Sequence, residues 1–261
     1  MKLFYRQVGS GGPNVFLLHG LYGNSFNWAS IAQSLSNFYQ VFSFDLRNHG
    51  HSPSSSFMDY FLMAEDIRQT AEPMELFPAH LIGHSLGGKL AMVFALSFPQ
   101  WVSSLVVVDI APVDYGKEAV QEHFKILEAM RSLPLSDLKT RKEAEVLLLK
   151  TINNKTLVQF LLTNLVYQSE RYVWRINLEG IRASIEKLTA FPFLHACFPG
   201  RTLFIAGERS NYLEASSIQP LFFFFPKATF VKIRDAGHWV HFEKPKEFLE
   251  VLIPFLRENR E

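Results

Sequence analysis

Leu81-Ile82-Gly83-His84-Ser85-Leu86-Gly87-Gly88-Lys89 holds one serine between two glycines, behind an apolar pair and ahead of a segment rich in small residues (Gly87, Gly88, Ala91, Ala95). Taken alone, glycine-x-serine-x-glycine is a weak signal. Between an apolar strand and a helical pattern it is the nucleophile elbow, a turn so tight that side chains beside the serine would collide with the strand or the helix. The turn exposes the Ser85 hydroxyl. The helix start behind it supplies free N–H groups and a partial positive charge. Ser85 is therefore the candidate nucleophile.

Working outward, short apolar runs alternate with helical patterns, as expected of strands joined by crossover helices in a mostly parallel sheet. Lys2–Val8, Val15–Leu18, Val41–Phe44, Leu81–Ile82, Val102–Val108, Thr202–Ile205 and Ala228–Ile233 read as strands. Asn27–Leu35, Asp59–Ala71, Gly87–Phe98 and Pro245–Leu256 carry apolar residues at helical spacing. The segment from Gly116 to Phe191 reads as successive helices without a strand, Leu157–Tyr167 having the most apolar face. Such a block predicts a cap over the strand ends, with extra core scaffold as the alternative. The four-phenylalanine run Phe222–Phe225 reads as a buried helix end.

Composition narrows the class. The chain has 261 residues, 48% of them hydrophobic, which suffices for a full core. With 26 basic and 25 acidic residues the formal charge is +1, and no field of that size selects nucleic acid or an anionic membrane. The single cysteine, Cys197, allows no intrachain disulfide and suits a reducing compartment. Met1–Val8 is too polar for a signal-peptide core, and no apolar run reaches a bilayer's span. A cytoplasmic protein without a stable membrane anchor is expected.

A serine hydroxyl needs a neighbouring base. Of nine histidines, His238 stands between the last strand and the last helix, at the sheet edge that also carries the elbow. His84 adjoins the serine but is expected to point away from it. His49 and His51 are spaced like a weak metal pair with no further ligands nearby, so no metal and no cofactor is expected. His80, His123 and His195 read as surface or packing residues, and His241 as a neighbour of the site. A carboxylate should orient the imidazole, and in such folds it lies between serine and histidine in the chain. Asp109, ending the run Leu105–Val108, is preferred because a carboxylate buried there demands a partner. Glu208, in Gly207-Glu208-Arg209-Ser210, is the alternative, and Asp114 a third. Asp235 reads as a turn residue. Ser210 is placed to support the imidazole or Asp109. The oxyanion donors are expected to be the N–H groups of Leu86 and of Leu21, in the loop His19-Gly20-Leu21-Tyr22-Gly23.

Five stretches carry a resemblance to the α/β-hydrolases, and within them to the YbfF-like esterases: Asp45–Pro53 (DLRNHGHSP), Gly83–Met92 (GHSLGGKLAM), Val108–Tyr115 (VDIAPVDY), Trp174–Leu178 (WRINL) and Gly237–Pro245 (GHWVHFEKP). The resemblance implies an α/β-hydrolase fold: a mostly parallel central sheet, helices on both faces, and a helical lid inserted after the sixth strand. It divides the chain into core residues 1–111, a lid over 112–191 and core residues 192–261. It puts the acid at the end of the strand before the lid, which matches Asp109, with a serine matching Ser210 near the histidine. The substrate it implies is a small carboxylic ester or acyl-CoA thioester. Lyase, C–C hydrolase or peptidase chemistry on the same three residues, or a ligand-binding relic, are the alternatives. Asp45, Arg47 and Asn48 read as loop-tying residues, Lys89 as a scaffold or solvated residue, and the 25 phenylalanines as core packing or an apolar acyl pocket.

Overall fold

The computed structural model describes residues 1–213 and 218–257; the last four residues of the expected second core segment lie outside them. Seven strands form one sheet: β1 (Tyr5–Val8), β2 (Asn14–Leu18), β3 (Gln40–Phe44), β4 (Ala79–His84), β5 (Val102–Val108), β8 (Thr202–Gly207) and β9 (Ala228–Ile233). Their order is β1-β3-β2-β4-β5-β8-β9. Only β1 runs antiparallel to its neighbour, and the strand expected from Lys2 begins at Tyr5. Strands β2 to β5 and β8 are almost wholly buried, which is why they read as continuous apolar runs rather than alternating ones.

Helices cover both faces. Helices α1 (Ala29–Leu35) and α11 (Pro245–Arg257) close one side, where Trp28, Ile31, Leu35, Phe248 and Leu252 pack on Val15, Val41 and Val106. Helices α2 (Tyr60–Ala71) and α3 (Leu86–Ser97) close the other, around Phe16, Phe42, Leu81 and Leu90. The short helix α10 (Val240–Glu243) leads into α11. Beneath the loop after β3, Asp45 accepts from the N–H groups of Ser25 and His51, and Arg47 makes a paired contact with Asp66 at 2.6 and 2.8 Å. These residues are tied into the scaffold, as their sequence context implied.

The segment between β5 and β8 departs from expectation in two ways. It follows the fifth strand of the chain, not the sixth. Nor is it purely helical. Helices α4 (Gly116–Arg131), α5 (Arg141–Leu149) and α6 (Lys155–Leu162) are followed by a hairpin, β6 (Leu165–Gln168) with β7 (Arg171–Trp174), and then by α7 (Leu178–Arg182) and α8 (Ile185–Thr189). The apolar helix expected over Leu157–Tyr167 therefore ends at Leu162. The hairpin escaped notice because its two-residue turn, Ser169-Glu170, adopts positive φ at both positions (51° and 63°) without the Asn-Gly that announces such a turn. Asn177 stitches the segment to the core: its N–H donates to Asn48 O at 2.9 Å and its side-chain amide to Asn48 Oδ1 at 2.9 Å.

The phenylalanine run is corrected as well. Helix α9 (Ile218–Phe224) carries its first three residues, of which Phe222 and Phe223 are exposed, while the fully buried Phe225 lies just past the helix.

Candidate active site

Ser85 sits between the end of β4 and the first residue of α3 with φ 52° and ψ −117°, a backbone conformation that costs a non-glycine residue about 1–3 kcal/mol. The glycines make it attainable. A Cβ on Gly83 would lie 2.1 Å from Gly87 O, and one on Gly87 would lie 2.3 Å from Leu18 O. The hydroxyl opens into a cavity of about 260 Å³ that Leu21, Leu86 and His238 also line.

His238 is anchored on the other flank. Its Nδ1 lies 2.7 Å from Asp109 Oδ2, and Asp109 is fully buried. The same carboxylate accepts from Gly207 N–H at 3.0 Å and from the Ser210 hydroxyl. Glu208 instead accepts from Asp235 N–H at 2.9 Å, and Asp114 from Gly116 N–H at 2.8 Å. Both of those carboxylates serve local turns, and Asp235 (φ 56°) is itself a turn residue.

The loop after β2 is braced by histidines that sequence reading left unassigned. His19 donates to Gly20 O and accepts from Leu46 N–H; His49 donates to Arg47 O and accepts from Tyr22 N–H. Each ring thus has both nitrogens occupied as a neutral imidazole. Burial favours that form, pushing His49 down to about 3 and His19 in the same direction. Tyr22 N–H is taken by His49 and Gly23 N–H by Gly20 O, so of the amides at 21–23 only that of Leu21 has no acceptor among the described residues. Leu86, as the first residue of α3, likewise has an N–H with no helical partner.

His84 has a role of its own: its Nε2–H donates to His238 O at 2.9 Å, tying the elbow to the histidine loop. Burial, then the neighbouring His238 and His241, hold its pKa well below the ordinary histidine value. His241 stacks on Trp28 at 4.0 Å, and burial takes it to about 3. Lys89 is buried rather than solvated. Its ammonium donates to Val113 O (2.9 Å), Thr189 O (2.7 Å) and Ala190 O (2.9 Å), so it grips both ends of the 112–191 segment. His80 packs inside and bonds Ser104, whereas His195 is exposed. His123, read as a surface or packing residue, lines the cavity, as does Tyr212, whose ring lies 4.2 Å from that of His238. Neither carries a motif; only the folded chain brings them here.

A serine at a strained strand–helix turn, an imidazole held by a buried carboxylate and a mostly apolar cavity beside both define the α/β-hydrolase class. The chain belongs to the α/β-hydrolase fold family, whose model matches residues 13–245. It is 39% identical over 95% of its length to the sn-1-specific diacylglycerol lipase ABHD11 of Danio rerio, covering 80% of that protein. It is 33% identical to Esterase YbfF of Escherichia coli, over 94% of this chain and 93% of the other. A solved marine microorganism esterase superposes with a TM-score of 0.93 at 39% identity, covering 97% of this chain and 99% of that one. With these relatives the protein is an esterase/lipase-type serine hydrolase.

Proposed function

We propose that the protein hydrolyses small carboxylic esters or acyl-CoA thioesters through an acyl-Ser85 intermediate. His238 takes the Ser85 proton as the hydroxyl attacks the scissile carbonyl. Asp109 holds the Nδ1–H of the imidazole and stabilises the cation that forms. The N–H groups of Leu21 and Leu86 receive the developing oxyanion. Collapse of the tetrahedral intermediate expels the alcohol or thiol, which leaves with the proton from His238. Water then gives a proton to the same imidazole, attacks the acyl-serine and frees the acid. Ser210, donating to Asp109, keeps the carboxylate in the orientation the imidazole needs. Residues 112–191 act as the lid over core segments 1–111 and 192–261, and their side chains choose the acyl group.

The observation that carries this reading is His238 fixed by a fully buried Asp109 on the rim of a cavity that Ser85 also lines. The cavity wall is mostly apolar (Leu21, Ile110, Ile126, Leu157, Phe160, Leu188), which suits a hydrocarbon acyl chain. That relatives are named esterase and diacylglycerol lipase supports an ester over an amide or a carbon–carbon bond. The test is labelling by a fluorophosphonate probe, lost in Ser85→Ala, together with turnover of nitrophenyl esters and acyl-CoAs of graded chain length. Turnover of diketones or prolyl peptides, with none of esters, would replace this reading by the other chemistries available to the same residues. No helix among the described residues is long and apolar enough to cross a membrane.

A further inference from the structure

Of the polar side chains that line the cavity without a part in the chemistry just described, His123 is the one whose ring proton can be assigned. His123 stands on α4 with Ala119 one turn before it and Ile126 one turn after it, and all three line the cavity wall. Its Nδ1 lies 3.3 Å from the hydroxyl of Tyr22, a residue that is itself 2% exposed. The direction of that hydrogen bond follows from accounting. Among the described residues the Tyr22 hydroxyl has His123 as its one hydrogen-bond partner. Were Nδ1 the donor, the phenolic proton would be buried without an acceptor, at a cost of about 1–3 kcal/mol. Burial raises the phenol and lowers the imidazole to about 4, so both groups are neutral near pH 7. The phenol therefore donates, and the ring proton sits on Nε2. That N–H has no acceptor among the described residues.

We infer that His123 is a specificity-determining residue: its Nε2–H recognises a neutral oxygen acceptor carried by the substrate away from the scissile carbonyl. A second carbonyl, an ether or a hydroxyl oxygen meets that description. A carboxylate does not, because Glu122 stands on the same wall and its charge opposes ionisation of Tyr22 and Tyr212. Lys89 offers no counter-charge to spare, its protons being directed at three carbonyls. The inference rests on the acyl-Ser85 reading, which delivers the substrate to this cavity.

The experiment uses nitrophenyl esters in which one methylene of the acyl chain is replaced, position by position, by an ether oxygen or a ketone. Each is compared with its all-carbon isostere as a ratio of kcat/KM. At one chain position the wild type should favour the oxygenated ester, and His123→Phe should reduce that ratio by about five- to tenfold, the worth of one hydrogen bond. The change should lie mainly in KM, and His123→Gln, which keeps an N–H donor, should restore part of it. Tyr22→Phe frees the tautomer and should lower the ratio less than His123→Phe does. A ratio that His123→Phe leaves unchanged along the whole series overturns the inference, even in an enzyme whose Ser85 is labelled by fluorophosphonate. Absence of labelling and of all ester turnover in the wild type would instead strike the reading beneath it.

Discussion

Asp109 and His238 are 129 residues apart in the chain and 2.7 Å apart in the structure. The parallel sheet brings this about. Asp109 directly follows β5 at positive φ (53°), while His238 lies in the loop after β9, beyond the same edge. Asp109 receives donors from Gly207, Ser210 and His238, and with no solvent exposure it depends on them as much as they depend on it.

Replacing this acid should therefore cost most of the activity. Asp109→Asn is expected to lower kcat by about 10³–10⁴-fold, because an amide no longer enforces the productive tautomer. Glu208→Gln, which touches only the Asp235 turn, should stay within about twofold of wild type in steady-state ester hydrolysis. The reverse ranking would move the acid to the later loop.

Strain at the elbow has a thermodynamic signature. Ser85→Gly and Ser85→Ala should both be inactive, but glycine accepts φ 52° without a Cβ penalty. The glycine variant should be more stable than the alanine variant by about 1 kcal/mol, or roughly 2–4 °C in Tm by calorimetry. Equal melting temperatures would mean that the turn stores no such energy.

Lys89 links stability to pH. Burial lowers its pKa from 10.5 to about 7, against the opposing charge of Asp114. The unfolded chain thus holds the proton up to the ordinary lysine range while the folded chain gives it up earlier. Between those values unfolding takes up a proton, so raising the pH favours the fold. The stability of wild type relative to Lys89→Met should rise from pH 7 towards pH 10.5, as followed by urea denaturation across that window. A flat difference would show that the three carbonyls keep the amine charged throughout.

The Arg47–Asp66 pair predicts non-additivity. Both side chains are buried, at 6% and 1% exposure, and Arg47 also donates to Phe57 O and Leu62 O. Arg47→Met alone should cost about 3–5 kcal/mol by leaving a buried carboxylate without its guanidinium. The double variant Arg47→Met/Asp66→Leu should be more stable than that single one in chemical denaturation. A double variant no more stable than Arg47→Met would mean that the unpaired carboxylate is not the source of that loss.

What the chain declared by itself was whatever local geometry forces. An elbow must carry glycines at 83 and 87, strands buried on both faces must be apolar runs, and the loop after β2 must let backbone approach the serine. Fold class, and the gathering of Ser85, His238 and Leu21 around one cavity, were accordingly readable from residue order. Other features depend on groups distant in sequence meeting in space. Residue types preferred Asp109 as the imidazole's partner but kept Glu208 and Asp114 as alternatives, and the meeting of β5, β8 and β9 puts Asp109 beside His238. The hairpin at 165–174 was hidden because its turn uses Ser-Glu where glycine would have announced it. Lys89 was legible only as a scaffold or solvated residue, His123 as a surface or packing one and Tyr212 not at all, since a buried ammonium, a tautomer set by Tyr22 and a ring against His238 exist only in the folded chain. Periodicity and turn chemistry report on neighbours in the chain; desolvation and hydrogen-bond pairing report on neighbours in space.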